Sequence, residues 1–116
     1  MGDRMRQVNS MLREAVSRVL SQVRIVPDGV LLTVTRVRTS SDLRQARVFF
    51  TVFPSKYAAD VHASLRKSRR AIQNNFADQI QLKYTPRLYF AADAHEQKAQ
   101  EMEELLDTLQ DSSSSY

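Results

Sequence analysis

A hydrophobic period that switches between strand and helix along this 116-residue chain limits the folds open to it. Ala46, Val48, Phe50 and Val52 alternate with Arg47, Phe49 and Thr51. A period of two puts the first set on one face of a β-strand and the second on the other. Before this strand, Met5, Val8, Leu12, Val16, Val19 or Leu20, and Val23 recur at steps of three and four, which predicts an amphipathic helix over roughly 4–24. After Pro54 the helical step returns through Tyr57, Val61, Leu65, Ser68, Ile72, Phe76 and Ile80. A chain of this length supports one core, so the alternation predicts a single α+β domain with helices over one face of a small sheet.

The connections agree. "VLLTVTRVRT" (30–39) is rich in β-branched residues and lacks helical spacing, so it reads as a second strand, joined to 46–52 through the short polar "SSDLR" as an antiparallel hairpin. "VPDGV" makes the turn before it, with Gly29 supplying a positive φ. "TPRLYFAAD" (85–93) is a third strand opened by Pro86. Asp93 and Glu96 have the spacing of a capping box at the head of a last helix over 94–110. That helix carries Met102, Leu105, Leu106 and Leu109 on one side, and "DSSSSY" (111–116) reads as a disordered tail. The order is α-β-β-α-(α)-β-α: a domain over 1–92, an acidic helix over 93–110 and the tail. Phe49 and Phe53 leave the sheet's second face partly apolar, which predicts partial cover there.

Charge is unevenly placed. Residues 1–92 hold 16 Lys/Arg against 6 Asp/Glu, a net +10, while residues 93–116 hold Lys98 and seven acids, a net −6. Thirteen of the 17 cations are arginine, whose planar fork suits phosphate better than the point charge of lysine. A basic body points to a polyanionic partner. The cations crowd in "SLRKSRRAIQNN" (64–75), where four of the five residues from Arg66 to Arg70 are positive. Neighbouring like charges on a helix cost a few tenths of a kcal/mol per pair, about 0.2–0.5. Helical geometry turns Arg66, Lys67 and Arg70 away from the apolar stripe and leaves Arg69 nearer its edge.

Other chemistries are missing their parts. Without cysteine there is neither a disulfide framework nor a thiolate metal site. His62 and His95 stand 33 positions apart and read as surface residues, so no metal or cofactor is expected. Gly2 and Gly29 are the only glycines, too few for a phosphate-cradling loop, and no serine has a base beside it. No apolar run approaches the ~20 residues of a membrane span. These absences predict a cytoplasmic binding protein, without a small-molecule substrate, a membrane partner or enzyme activity.

The α-β-β-α-α-β order is that of a type II KH domain, and the residues narrow it. "LLTVTRVRTSSDLRQARVFFTVFP" (31–54) resembles the hairpin of the bacterial ribosome-binding factor A family through Thr33, Val34, Thr35, Val37, Ser40, Asp42, Leu43, Ala46 and Val48. "RQVNSMLREAVSRVL" (6–20) is similar to that family's first helix. Pro86, Leu88, Phe90 and Asp93 resemble its third-strand element, and Leu105-Leu106 its closing helix. The resemblance implies a monomeric, non-enzymatic factor that binds the immature small (30S) ribosomal subunit and its 16S rRNA, assists late maturation, and supports growth in the cold. It also implies an RNA-binding surface at the helix junction, where KH domains carry Gly-x-x-Gly and this family an Ala-x-Gly kink. Here the junction falls on Ser68, Arg69 and Arg70. The expected RNA-contacting residues are Arg66, Lys67, Ser68, Arg69, Arg70, Gln73 and Asn74, with Arg6 and Arg13 on the polar side of the first helix. Arg70 stands in place of Gly, which predicts a shallower bend or one carried by the Ser68 side chain. The alternative is an adaptor that docks a protein through its acidic C-terminal helix.

Overall fold

The computed structural model describes residues 2–80 and 82–114. The elements are α1 (Gly2–Gln22), β1 (Leu31–Thr39), β2 (Gln45–Phe53), a 3-10 turn (Ser55–Tyr57), α2 (Ala58–Lys67), α3 (Arg69–Gln79), β3 (Arg87–Ala92) and α4 (Ala94–Ser114). The sheet order is β1-β2-β3, with β1 antiparallel and β3 parallel to β2. This is the expected α+β, type II KH-like arrangement. The parallel pair follows from the connection, because parallel neighbours need a long crossover and α2 with α3 supply it.

One face of the sheet makes the core. Val48, Phe50 and Val52 from β2 and Leu88 from β3 meet Leu12, Val16 and Val19 of α1 and Val61, Leu65, Ile72 and Phe76 of α2 and α3. Each fully buried side chain of this kind is worth about 1.5–3 kcal/mol, so the two periodicities seen in the sequence are the two sides of one interface.

Irregular points set the rest of the geometry. The register between β1 and β2 slips between Val34 and Arg36, leaving Thr35 as the extra residue of a bulge. A bulge re-aims side chains, and the phase of β1 changes across it. Leu32 and Val34 before it, and Val37 after it, pair with the inward residues Val52, Phe50 and Val48. The hairpin turn is closed by its own polar side chains. The Ser40 hydroxyl donates to Asp42 Oδ1 (2.6 Å), Arg44 N–H donates to the same oxygen (3.1 Å), and Gln45 N–H donates to Ser40 Oγ (3.1 Å). Leu43 takes a left-handed conformation there, φ +61°.

The stripe from Tyr57 to Ile80 is not one helix. It breaks at Ser68, whose φ of −94° and ψ of 11° leave the helical basin for a single residue. The hydrogen-bond ladder still passes through the break, from Ser68 N to Ser64 O (2.9 Å) and from Ile72 N to Ser68 O (3.0 Å). Ser68 makes no side-chain cap, so the break lies in its backbone. Arg70 lies inside α3 and is not left-handed, so its backbone there does not call for glycine.

The last strand starts at Arg87, one residue after the buried Pro86. Its ladder ends with Asp93 N–H donating to Phe50 O (2.8 Å). The buried Gln97 side chain then acts as the next peptide. Val52 N–H donates to Gln97 Oε1 (2.8 Å), and Gln97 Nε2 donates to Val52 O (3.0 Å). The Gln100 amide donates to the same carbonyl, and Glu104 accepts from Ser55 N–H (2.9 Å) and the Ser55 hydroxyl. These contacts dock the first half of α4. Met102, Leu105, Leu106 and Leu109 are each more than half exposed and lie outside the core. The helix continues to Ser114, past the boundary at 110 where a disordered tail was expected, and Ser115 and Tyr116 lie outside the described residues. The capping box is half made. Asp93 Oδ1 accepts from Glu96 N–H at 3.4 Å, but the return bond to Asp93 N–H is pre-empted by the sheet. On the sheet's second face Thr51 is buried while Phe53 remains 45% exposed, so cover there is partial.

Candidate nucleic-acid interface

Arg66 and Lys67 close α2, and Arg69 and Arg70 open α3. A helix N-terminus gains nothing from cations, because its free N–H groups already carry positive partial charge. Their packing at this junction therefore concentrates positive potential. Among the described residues the ion pairs are Arg36–Asp93 (3.6 Å) and Arg44–Asp42 (3.9 Å), so no carboxylate answers the cations at 66–70. Arg66, Lys67 and Arg70 are exposed, as the wheel predicted, and Ser68 is half-buried. The four cations line a concavity of about 530 Å³ with Gln73, Asn74, Thr85 and Arg87.

Arg69 behaves differently from its neighbours. Its guanidinium lies 4.7 Å from the centroid of the Tyr89 ring, over which Arg87 also reaches at 5.7 Å. One nitrogen, Nη2, is buried and has no hydrogen-bond partner among the described residues. A buried donor without an acceptor costs about 1–3 kcal/mol, a cost that an incoming oxygen would remove. Arg66 and Arg69 also line a second concavity, of about 270 Å³, with His62, Leu88, Tyr89 and Phe90. His62 is no simple surface residue. Its Nε2 lies 3.3 Å from Phe90 O, and its ring meets Phe50 edge-on with centroids 5.3 Å apart.

Not every expected residue is free for a ligand. Gln73 Nε2 donates to Pro86 O (2.9 Å), and its Oε1 accepts from Leu88 N–H (2.9 Å). Its amide holds the start of β3 on α3 and keeps one N–H to spare, whereas Asn74 is exposed beside it. Arg6 and Arg13 are exposed but lie elsewhere, lining a small concavity of about 210 Å³ with Asn9, Ser10, Arg36 and Val37 at the β1 edge. Asn9 serves the fold there, its Oδ1 accepting from Thr39 N–H (3.1 Å) and from the Thr39 hydroxyl (2.6 Å). The structure thus joins Arg66–Arg70 with Asn74, keeps the α1 arginines apart, and adds Arg87 and Tyr89. Those two sit some twenty positions further on, and only the α3–β3 packing brings them alongside. No helical or strand period signals that proximity.

Residues 4–106 match the family described as Ribosome-binding factor A. The chain belongs to that family. The Ribosome-binding factor A of Nitrobacter winogradskyi is 31% identical to it over 105 residues, spanning 88% of this chain and 77% of the relative. The crystal structure of ribosome-binding factor A from Thermus thermophilus superposes with a TM-score of 0.64 at 22% identity, over 76% of this chain and 93% of that one. A homology model of the Thermus thermophilus factor, fitted into a cryo-EM map of its 30S complex, gives a TM-score of 0.55 at 24% identity, over 72% and 88% of the two chains.

Proposed function

We propose that this protein is a non-catalytic assembly factor that binds the immature 30S subunit and its 16S rRNA as a cytoplasmic monomer and assists late maturation. The observation that carries this reading is Arg69. Its stacked guanidinium, with a buried nitrogen that lacks an acceptor, lies between a cationic ridge and the edge of β3. Arg66, Lys67 and Arg70 supply phosphate contacts that position the RNA backbone. Tyr89 and Arg69 offer a stacked surface at the edge of the groove, which suits an unpaired nucleotide. The 30S partner is the one named for the Thermus relative, and family membership is the ground for carrying it to this chain. Sucrose-gradient sedimentation of a cell extract tests the reading. The protein is expected with free small subunits and absent from translating ribosomes, and equal loading on both would remove the assembly role.

A second reading rests on α4. Its exposed Met102, Leu105, Leu106 and Leu109 stand among Glu101, Glu103 and Asp107, which suits docking on a basic protein. A chain ended after Glu104 separates the two readings. Salt-dependent RNA binding survives that truncation in an RNA-binding factor and is absent in an adaptor.

A further inference from the structure

The cations do not stop at the β3 edge. The register places Arg38 of β1 opposite Arg47 of β2, and Arg47 beside Tyr89 of β3, so one row crosses the whole sheet on the face away from α1, α2 and α3. The next row holds Arg36, Phe49 and Ala91, and the row on the other side pairs Gln45 with Arg87. Arg36 is already satisfied by Asp93 and by the Phe49 ring, 4.2 Å from its guanidinium. Arg38, Arg47 and Arg87 are exposed, and among the described residues none of them pairs with a carboxylate.

Between these rows lies an open groove of about 760 Å³, lined by Arg38, Arg47, Phe49, Tyr89 and Ala91 among others and, among the described residues, by no acidic one. It shares Tyr89 and Phe90 with the smaller concavity beside Arg69, so the two are continuous around the β3 edge. Three unpaired arginines around two aromatic rings, with the small Ala91 leaving room, make a sequence-tolerant stacking platform beside a phosphate track. A protein-docking face would be expected to lose charge at its centre, yet the centre here is Arg47. A second copy of the chain would bring arginine against arginine.

We infer that the open face of the sheet is a second nucleic-acid surface, on which a single strand of RNA continues from the ridge across β3, β2 and β1. The inference rests on the RNA-binding reading above. It is tested with the full chain and a 20-nucleotide single-stranded RNA, measuring affinity across a salt series for the wild type, for Arg38→Gln/Arg47→Gln and for Arg66→Ala/Lys67→Ala/Arg70→Ala. Loss of two phosphate contacts is expected to lower the slope of log K against log salt by about 1.4 in the double variant. RNA carrying 4-thiouridine is expected to crosslink to peptides containing Phe49 or Tyr89. If only the ridge variant lowers the slope, the RNA stops at the β3 edge and the second surface is overturned while RNA binding stands. If neither variant does, both readings fall. If Arg38→Gln/Arg47→Gln abolishes binding of poly-glutamate and leaves RNA affinity intact, the face is a site for an acidic protein and the inference is overturned.

Discussion

The Thr35 hydroxyl donates a 2.7 Å hydrogen bond to Oδ2 of Asp93, linking residues 58 positions apart. It joins the β1 bulge to the residue that ends the β3 ladder and caps α4. That bond is the main reason the Asp93 carboxyl lies below the usual carboxylate range, and burial opposes it. The Glu96 N–H and the charges of Arg36 and His95 add smaller pulls in the same direction.

A depressed carboxylate contributes stability that is present above its unfolded pKa, about 3.9, and is lost as pH falls through the lower folded value. Thr35→Val is therefore expected to cost about 1.5 kcal/mol at neutral pH, the lower end for a hydrogen bond to a charged group. It should also flatten the acid limb below about pH 4. Denaturant titrations at several pH values measure both. An acid limb as steep as that of the wild type would detach Asp93 from the bulge.

Gln97→Leu should destabilise by about 1–3 kcal/mol, because Val52 N–H is then buried without an acceptor. Val52 O keeps Gln100 as a partner, so the loss is single. Hydrogen exchange locates it: the Val52 amide should lose protection while Phe50, deeper in the ladder, keeps it.

Ending the chain after Glu104 should leave stability within about 0.5 kcal/mol, since Leu105, Leu106 and Leu109 are exposed. Ending it after Asp93 removes Gln97, Gln100 and Glu104 and should lower the melting temperature by several degrees, about 4 °C for each kcal/mol lost. Equal melting temperatures for the two truncations would mean that the first half of α4 does not support the sheet.

Gly29 has φ +86°, and an added Cβ would meet nothing within 4 Å. Gly29→Ala should thus cost about 1 kcal/mol through backbone strain alone. Gly29→Asn should cost less, since Asn tolerates that conformation better. Thermal melts of the two variants make the comparison.

The legible part of the fold was whatever follows from local period. Val48, Phe50 and Val52 announced their strand, and Leu12, Val16 and Val19 their helix, because core burial depends on which face a residue occupies. The break at Ser68 was legible only from the family resemblance, since the apolar stripe runs through it unbroken. The Thr35 bulge and the Gln97 side-chain ladder were not legible, because both are answers to a partner strand that local spacing does not contain. The same holds for the site. Arg66, Lys67 and Arg70 could be read as outward-facing from a helical wheel. Gln73 has the same kind of address, but the β3 backbone claims its amide, and Arg87 and Tyr89 enter only through tertiary packing.

In the proposed function the ridge at the α2–α3 junction holds RNA through its phosphates. The most direct test is the salt dependence of binding to single-stranded RNA for Arg66→Ala/Lys67→Ala/Arg70→Ala. Arg69 is left in place because its stacking on Tyr89 ties it to the fold. The three substituted side chains are exposed, so each should move stability by no more than about 0.5 kcal/mol. Each phosphate contact on a single strand contributes about 0.7 to the slope of log K against log salt, so the slope is predicted to fall by about 2. Arg4→Ala/Arg6→Ala/Arg13→Ala on α1 serves as the control and should lower it less. A folded ridge variant with an unchanged slope would mean that these cations are only a solvated helix face.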